Sequence, residues 1–100
     1  MKPYAFCEVR NRVRYNTATA TLLADNAYWD GHNWERGGTN TFLYRSPRGR
    51  YFAFRRTLWE GKHDYIQPLS EDEAIELYEE LREKYVDFQD AFPGVEIKEG

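Results

Sequence analysis

The run Thr41-Phe42-Leu43-Tyr44-Arg45-Ser46-Pro47-Arg48-Gly49-Arg50-Tyr51-Phe52-Ala53-Phe54-Arg55 limits what this chain can fold into more than any other part of it. Proline suits the second position of a type I turn and glycine the left-handed position that follows. Ser46 to Arg50 therefore reads as a three-residue hairpin loop with a bulge. That loop sets the register of the hairpin over 41–56. With Ser46 opposite Arg50, Tyr44 falls opposite Phe52 and Phe42 opposite Phe54, so four aromatics share one face. The other face carries Arg45 beside Tyr51, Leu43 beside Ala53 and Thr41 beside Arg55, with Arg48 and Arg50 at the tip. The aromatic face is expected to be core, and the second face basic, partly apolar and exposed.

A second element follows Pro68-Leu69. Ser70 precedes Glu73 by three residues, the spacing at which each side chain satisfies a free backbone amide of the other, a capping box. Glu71, Asp72 and Glu73 add negative charge at the positive end of the helix dipole. Ala74, Leu77, Tyr78, Leu81, Tyr85, Phe88 and Phe92 then recur at helical spacing. Glu76, Glu79, Glu80, Glu83 and Asp87 fall on the opposite side as an acidic surface. Unbroken from 70 to 92 such a helix would be about 34 Å long, longer than a domain of about 30 Å. A bend is expected near 86, where Asp87 could cap a second short helix, with Pro93-Gly94 as the stop. Four aligned aromatics need a cover of comparable size, so the helix is expected to lie across the aromatic face of the hairpin.

The remaining segments carry weaker signals. Residues 13–24 are rich in threonine and alternate in character, which predicts one or two strands, with a helix capped at Asn16 or Thr17 as the competing reading. Asp25-Asn26 reads as a turn, 29–40 as a loop with three glycines around Trp29 and Trp34, and Asp64 to Gln67 as a short strand ended by Pro68. The fold class is thus α+β, a small antiparallel sheet of three to five strands packed against a C-terminal amphipathic helix. One hundred residues suit one domain over 1–100.

Charge is divided along the chain. Residues 1–62 hold eleven Lys/Arg against five Asp/Glu, a net +6, while 63–100 hold three against twelve, a net −9. Eight tyrosines and three tryptophans exceed what a core of this size can hide with every polar tip satisfied, so some of them are expected to face a partner. The lone Cys7 excludes an internal disulfide and fits a small buried hydrophobe in a reducing, cytoplasmic setting. No stretch reaches the roughly 18 apolar residues of a membrane helix, and no membrane partner is expected.

No catalytic, metal or cofactor site is expected. His32, His63, Asp30, Asp64 and Cys7 have no spacing that joins a nucleophile, a base and an orienting group. Two histidines and one cysteine do not make a zinc signature. Gly37-Gly38 lacks the strand-glycine-helix pattern of a phosphate loop. Two binding readings remain. Arg45, Arg48, Arg50, Tyr51 and Arg55, with Trp29, Trp34 and Trp59, are of the residue types that dominate protein interfaces, and a protein partner is the favoured reading. The alternative is nucleic acid, with arginines on phosphates and Tyr51 or tryptophans stacked on bases. The acidic surface could itself face a basic partner or be a solvated helix face.

Tyr15-Asn16-Thr17-Ala18-Thr19-Ala20, Leu43-Tyr44-Arg45-Ser46-Pro47-Arg48-Gly49-Arg50-Tyr51-Phe52 and Ile66-Gln67-Pro68-Leu69-Ser70-Glu71-Asp72-Glu73-Ala74 resemble segments of a family of short bacterial, prophage and mobile-element proteins. The likeness spans about three quarters of the chain. That family carries no assigned activity, so the resemblance implies a phage or plasmid setting and no catalytic residues. Small proteins of such settings are often inhibitors of host defence, anti-CRISPR proteins among them, which makes a non-enzymatic, contact-acting role the expectation.

Overall fold

A computed structural model describes residues 5–26, 39–57 and 63–100. In chain order these form β1 (Cys7–Arg10), β2 (Val13–Asn16), β3 (Thr21–Asp25), β4 (Thr39–Arg45), β5 (Tyr51–Thr57), β6 (Tyr65–Leu69), α1 (Glu71–Glu80), β7 (Glu83–Lys84) and α2 (Phe88–Ala91). β1 and β2 make a two-stranded ribbon; the others make a five-stranded antiparallel sheet in the order β6-β5-β4-β3-β7. The fold is α+β, as the pattern of elements predicts.

The β4–β5 hairpin has the register set by its loop. Phe42 faces Phe54, Tyr44 faces Phe52, and Arg45 faces Tyr51. Gly49 sits at φ +84°, its amide donating to the Ser46 carbonyl at 2.9 Å. The Ser46 amide donates to the Arg50 carbonyl at 2.7 Å, and Ser46 Oγ accepts from the Arg50 amide at 3.0 Å.

The cover of the aromatic face differs from the expectation. Phe42, Tyr44, Phe52, Phe54 and Ile66 are buried under the ribbon, with Tyr15 of β2 and the half-buried Phe6 and Val13 packed onto them. The Phe6 ring stacks on Phe54 at 4.8 Å and Tyr15 meets Phe52 at 5.1 Å. Thr17 anchors the start of the ribbon: its amide donates to the Phe6 carbonyl at 2.9 Å, and its Oγ1 accepts from the Phe6 amide at 2.8 Å. Glu8 Oε1 accepts the Ile66 amide at 2.7 Å, tying the ribbon to edge strand β6. An edge amide is thereby covered, which blunts a template for strand addition.

The helices cover the opposite face, which the alternation left for solvent. Leu23, Ala24, Leu43 and Tyr51 are buried there with Ala74, Tyr78, Leu81, Ala91 and Phe92. Two residues of β3 reach this core in succession because the β3–β4 register shifts between Leu22 and Ala24, a bulge that inserts Leu23. The route of the chain dictates the rest. Leu69 ends β6 opposite Tyr51 and packs on the helix side, so α1 leaves one edge of the sheet on that face and crosses to β7 at the other.

Several local expectations are refined. The capping box is present, with Glu73 amide to Ser70 Oγ at 3.1 Å and Ser70 amide to Glu73 Oε1 at 2.8 Å. The helix ends earlier than 92, because Leu81 turns to an extended conformation (ψ 138°) and the chain pairs briefly as β7. Asp87 occupies the N-cap of α2 but makes no side-chain capping bond. Asn16 does not start a helix; its Oδ1 accepts from the Ala18 amide at 2.9 Å in a local turn between β2 and β3. Asp25 is a buried end of β3 rather than a turn residue, while Thr39 and Asn40, read as loop, open β4. Pro68 lies inside β6 opposite Phe52, tolerated because β6 is an edge. Cys7 is exposed, not buried, because its side of β1 faces away from the aromatic core.

Candidate basic cleft between two hairpin tips

The structure divides the expected hairpin site. Tyr51, expected outward, is only 7% exposed; its hydroxyl donates to the Ala91 carbonyl at 2.9 Å and its ring stacks on Phe92 at 5.0 Å. Burial raises its pKa, an effect opposed in part by the neighbouring Arg45 guanidinium. Arg55 is half-buried and spent within the sheet. Its Nε and Nη2 donate to Gln67 Oε1 at 3.2 and 2.9 Å, and its Nη1 donates to Thr41 Oγ1 at 2.7 Å. Arg45 is half-buried beneath its own turn, where a Cβ built on Gly49 would lie 3.7 Å from its Nη2. Tyr51 is off the surface because the helices occupy the face that strand alternation alone assigns to solvent, whereas Arg45 and Arg55 are held partly buried by their own turn and by the sheet. Trp29, Trp34 and Trp59, with His32 and Asp30, lie outside the described residues.

Arg48 and Arg50 remain exposed at the hairpin tip. There they meet a residue that a local reading does not link to them. Val13, Arg14 and Tyr15 of β2 and Ser46, Pro47, Arg48 and Arg50 of the hairpin loop line a cleft of about 190 Å³. The ribbon builds it by lying on the aromatic face with β2 beside the β4–β5 loop. Val13, Pro47 and the Tyr15 ring give apolar walls. Arg14, Arg48 and Arg50 supply the charge, and among the described residues none of the three has a carboxylate partner. Arg10 of the same ribbon, by contrast, pairs its Nε with Glu8 Oε1 at 3.2 Å. The sequence signal for Arg14 was the alternation Arg10-Asn11-Arg12-Val13-Arg14, three arginines on a short ribbon.

The acidic surface is present in two parts. Glu76, Glu79 and Glu80 are exposed on α1, whereas Glu83 stands exposed in β7 and Asp87 at the cap of α2. Asp25 is a separate, fully buried carboxylate whose Oδ2 accepts the Tyr85 hydroxyl at 3.0 Å. The Tyr85 ring is half exposed, but burial of its hydroxyl end and then the Asp25 carboxylate raise its pKa to about 12. Tyr44, buried near the same carboxylate, is likewise raised to about 12, by burial first and the Asp25 charge second.

Of the residues weighed for catalysis, Cys7 and His63 are exposed and Asp64 is half-buried. Among the described residues no three His, Cys, Asp or Glu side chains are grouped to hold a metal, and no helix is long and apolar enough to cross a membrane. No family model, curated protein or solved structure matches the chain.

Proposed function

We propose that this chain is a non-enzymatic binding protein that takes an acidic segment of a protein partner into the cleft between its two hairpin tips. One observation carries the reading. Three exposed arginines from two separate elements line one cleft with apolar walls, with no carboxylate partner among the described residues. An arginine fork matches a carboxylate in two parallel hydrogen bonds, and the apolar walls suit an aliphatic neighbour of an acidic residue. The acidic helix face contributes at a distance, by repelling an acidic ligand from the helix side of the molecule and favouring its approach to the tips.

The nucleic-acid reading is weaker for a particular reason. A single-strand site combines aromatic platforms with its cations, and among the described residues the hairpin aromatics are committed to the two cores; Tyr15, in the cleft wall, is only 5% exposed. The resemblance to prophage and mobile-element proteins supports a cytoplasmic protein acting on a host component, an anti-CRISPR-like inhibitor of host defence being the role that setting suggests.

A labelled oligoglutamate peptide and a single-stranded oligonucleotide of equal charge, titrated in about 50 mM salt where ionic contacts are strongest, test the proposal. The peptide is expected to bind and to be released by the double variant Arg48→Ala/Arg50→Ala. Tighter retention of the oligonucleotide, lost in the same variant, would replace the protein partner with nucleic acid.

A further inference from the structure

The turn of the ribbon is built in a conformation its sequence does not favour. Arg10 and Val13 are its last paired residues, so Asn11 and Arg12 alone make the connection. Both are left-handed, at φ +52° and +64°. Two such residues in succession match the twist of a two-residue hairpin, and asparagine accepts the first position readily. The second position is where glycine is preferred, because a Cβ there crowds the following carbonyl. Arginine has no such tolerance.

Nothing inside the described molecule offsets that strain. Arg12 is exposed, and it makes no hydrogen bond or ion pair among the described residues. Its neighbour Arg10 is neutralised by Glu8, whereas Arg12 is followed at once by Val13, Arg14 and Tyr15, the ribbon wall of the basic cleft. A strained residue with no internal partner, adjoining a cluster of unpaired like charges, lowers the stability of the fold in two ways at once. Such strain is characteristic of positions that serve a ligand.

We infer that Arg12 belongs to the acidic-segment surface: the ribbon tip extends the cleft, and a bound segment continues from Arg48 and Arg50 past Arg14 to Arg12. The inference rests on the function proposed above. It assigns Arg12 to binding at the expense of stability, and so requires its replacement to move the two properties in opposite directions.

Thermal melts and oligoglutamate titrations of Arg12→Gly, Arg12→Asn and Arg12→Lys test it. Glycine and asparagine relieve the backbone and remove the charge; lysine keeps both. The first two variants are expected to melt about 2–5 °C higher and to bind about two- to fivefold more weakly at about 50 mM salt. Arg12→Lys keeps the strain and the charge but not the two-bond fork, so it should melt like the parent and bind more tightly than the two neutral variants. Undiminished binding by Arg12→Gly and Arg12→Asn, while Arg48→Ala/Arg50→Ala abolishes it, would remove Arg12 and leave the cleft standing. Binding that also survives the double variant would remove the cleft and Arg12 with it. Lower melting of both neutral variants would show that Arg12 supports the turn and overturn the inference.

Discussion

The two faces of the five-stranded sheet are both buried, but under covers of opposite character. One lies beneath a two-stranded ribbon that brings arginines at its tip; the other lies beneath α1 and α2, whose outward side chains are mostly carboxylates. The sheet itself shows its cations mainly at its loop. The charge of each outer surface is therefore a property of the cover, and the candidate cleft arises where the ribbon meets the end of the hairpin. A basic sheet opposed to an acidic helix, which is how the charge segregation reads along the chain, becomes in three dimensions a basic end and an acidic side.

The comparison can be broken most directly by emptying one core at a time. Phe52 is fully buried against Tyr15 and Tyr44 under the ribbon, and Phe92 is fully buried against Tyr51 and Tyr78 under the helices. Phe52→Ala and Phe92→Ala should each lower stability by about 3–5 kcal/mol, measured by denaturant unfolding. Hydrogen exchange separates the faces: Phe52→Ala should first release amides of β2, and Phe92→Ala those of α1. Equal loss of protection on both sides in either variant would mean that the two covers unfold as one.

An alkaline titration sharpens the contrast next. Tyr44 ionises at about 12 in the folded protein, against 10.0 for an unperturbed tyrosine. The folded state thus holds the proton more tightly than the unfolded chain, unfolding releases protons above pH 10, and stability falls as pH rises from about 10 to about 12. Two units correspond to roughly 3 kcal/mol from this group. Tyr44→Phe should remove part of that fall in a chemical-denaturation series, the raised tyrosines Tyr85, Tyr51 and Tyr78 keeping the rest, and a fall of unchanged depth would assign it to those three alone.

The smallest effect is expected from Tyr51→Phe. It removes the hydrogen bond to Ala91 and leaves that carbonyl without its donor, which lowers stability by about 1–2 kcal/mol. Oligoglutamate binding should be unchanged, because the hydroxyl belongs to the helix-side core. Weaker binding at unaltered stability would return Tyr51 to the interaction surface.

How much of this was legible in the chain follows from the range of the forces involved. The register of β4 and β5 and the start of α1 were readable because Pro47, Gly49, Ser70 and Glu73 act on backbone groups within three or four residues of themselves. The end of α1 is not legible in the chain, because Leu81, Tyr85, Phe88 and Phe92 keep helical spacing past it. Leu81 and Phe92 are nevertheless buried with Leu81 extended and the following residues joined to β3, while Tyr85 stays half exposed. Periodicity records which side chains seek the core, and does not record how the backbone brings them there.

The site was legible only in half. Arg48 and Arg50 follow from the loop, whereas Arg14 joins them across more than thirty residues of chain, through contact between two hairpins that no spacing encodes. Strand alternation puts Tyr51 on the face opposite the four aromatics, and it separates two faces without saying what covers either.

By itself, then, the sequence determined the local instructions: a turn, a cap, the register they impose, and a segregation of charge into two halves. Only the tertiary structure decided which cover each sheet face receives. Chain routing accounts for it: Glu8 ties the ribbon to β6 over the aromatics, and Leu69 delivers α1 onto the other side. The same decision buried Tyr51, tied Arg55 to Thr41 and Gln67, and set Arg14 beside Arg48 and Arg50, because burial and proximity are properties of how distant segments pack.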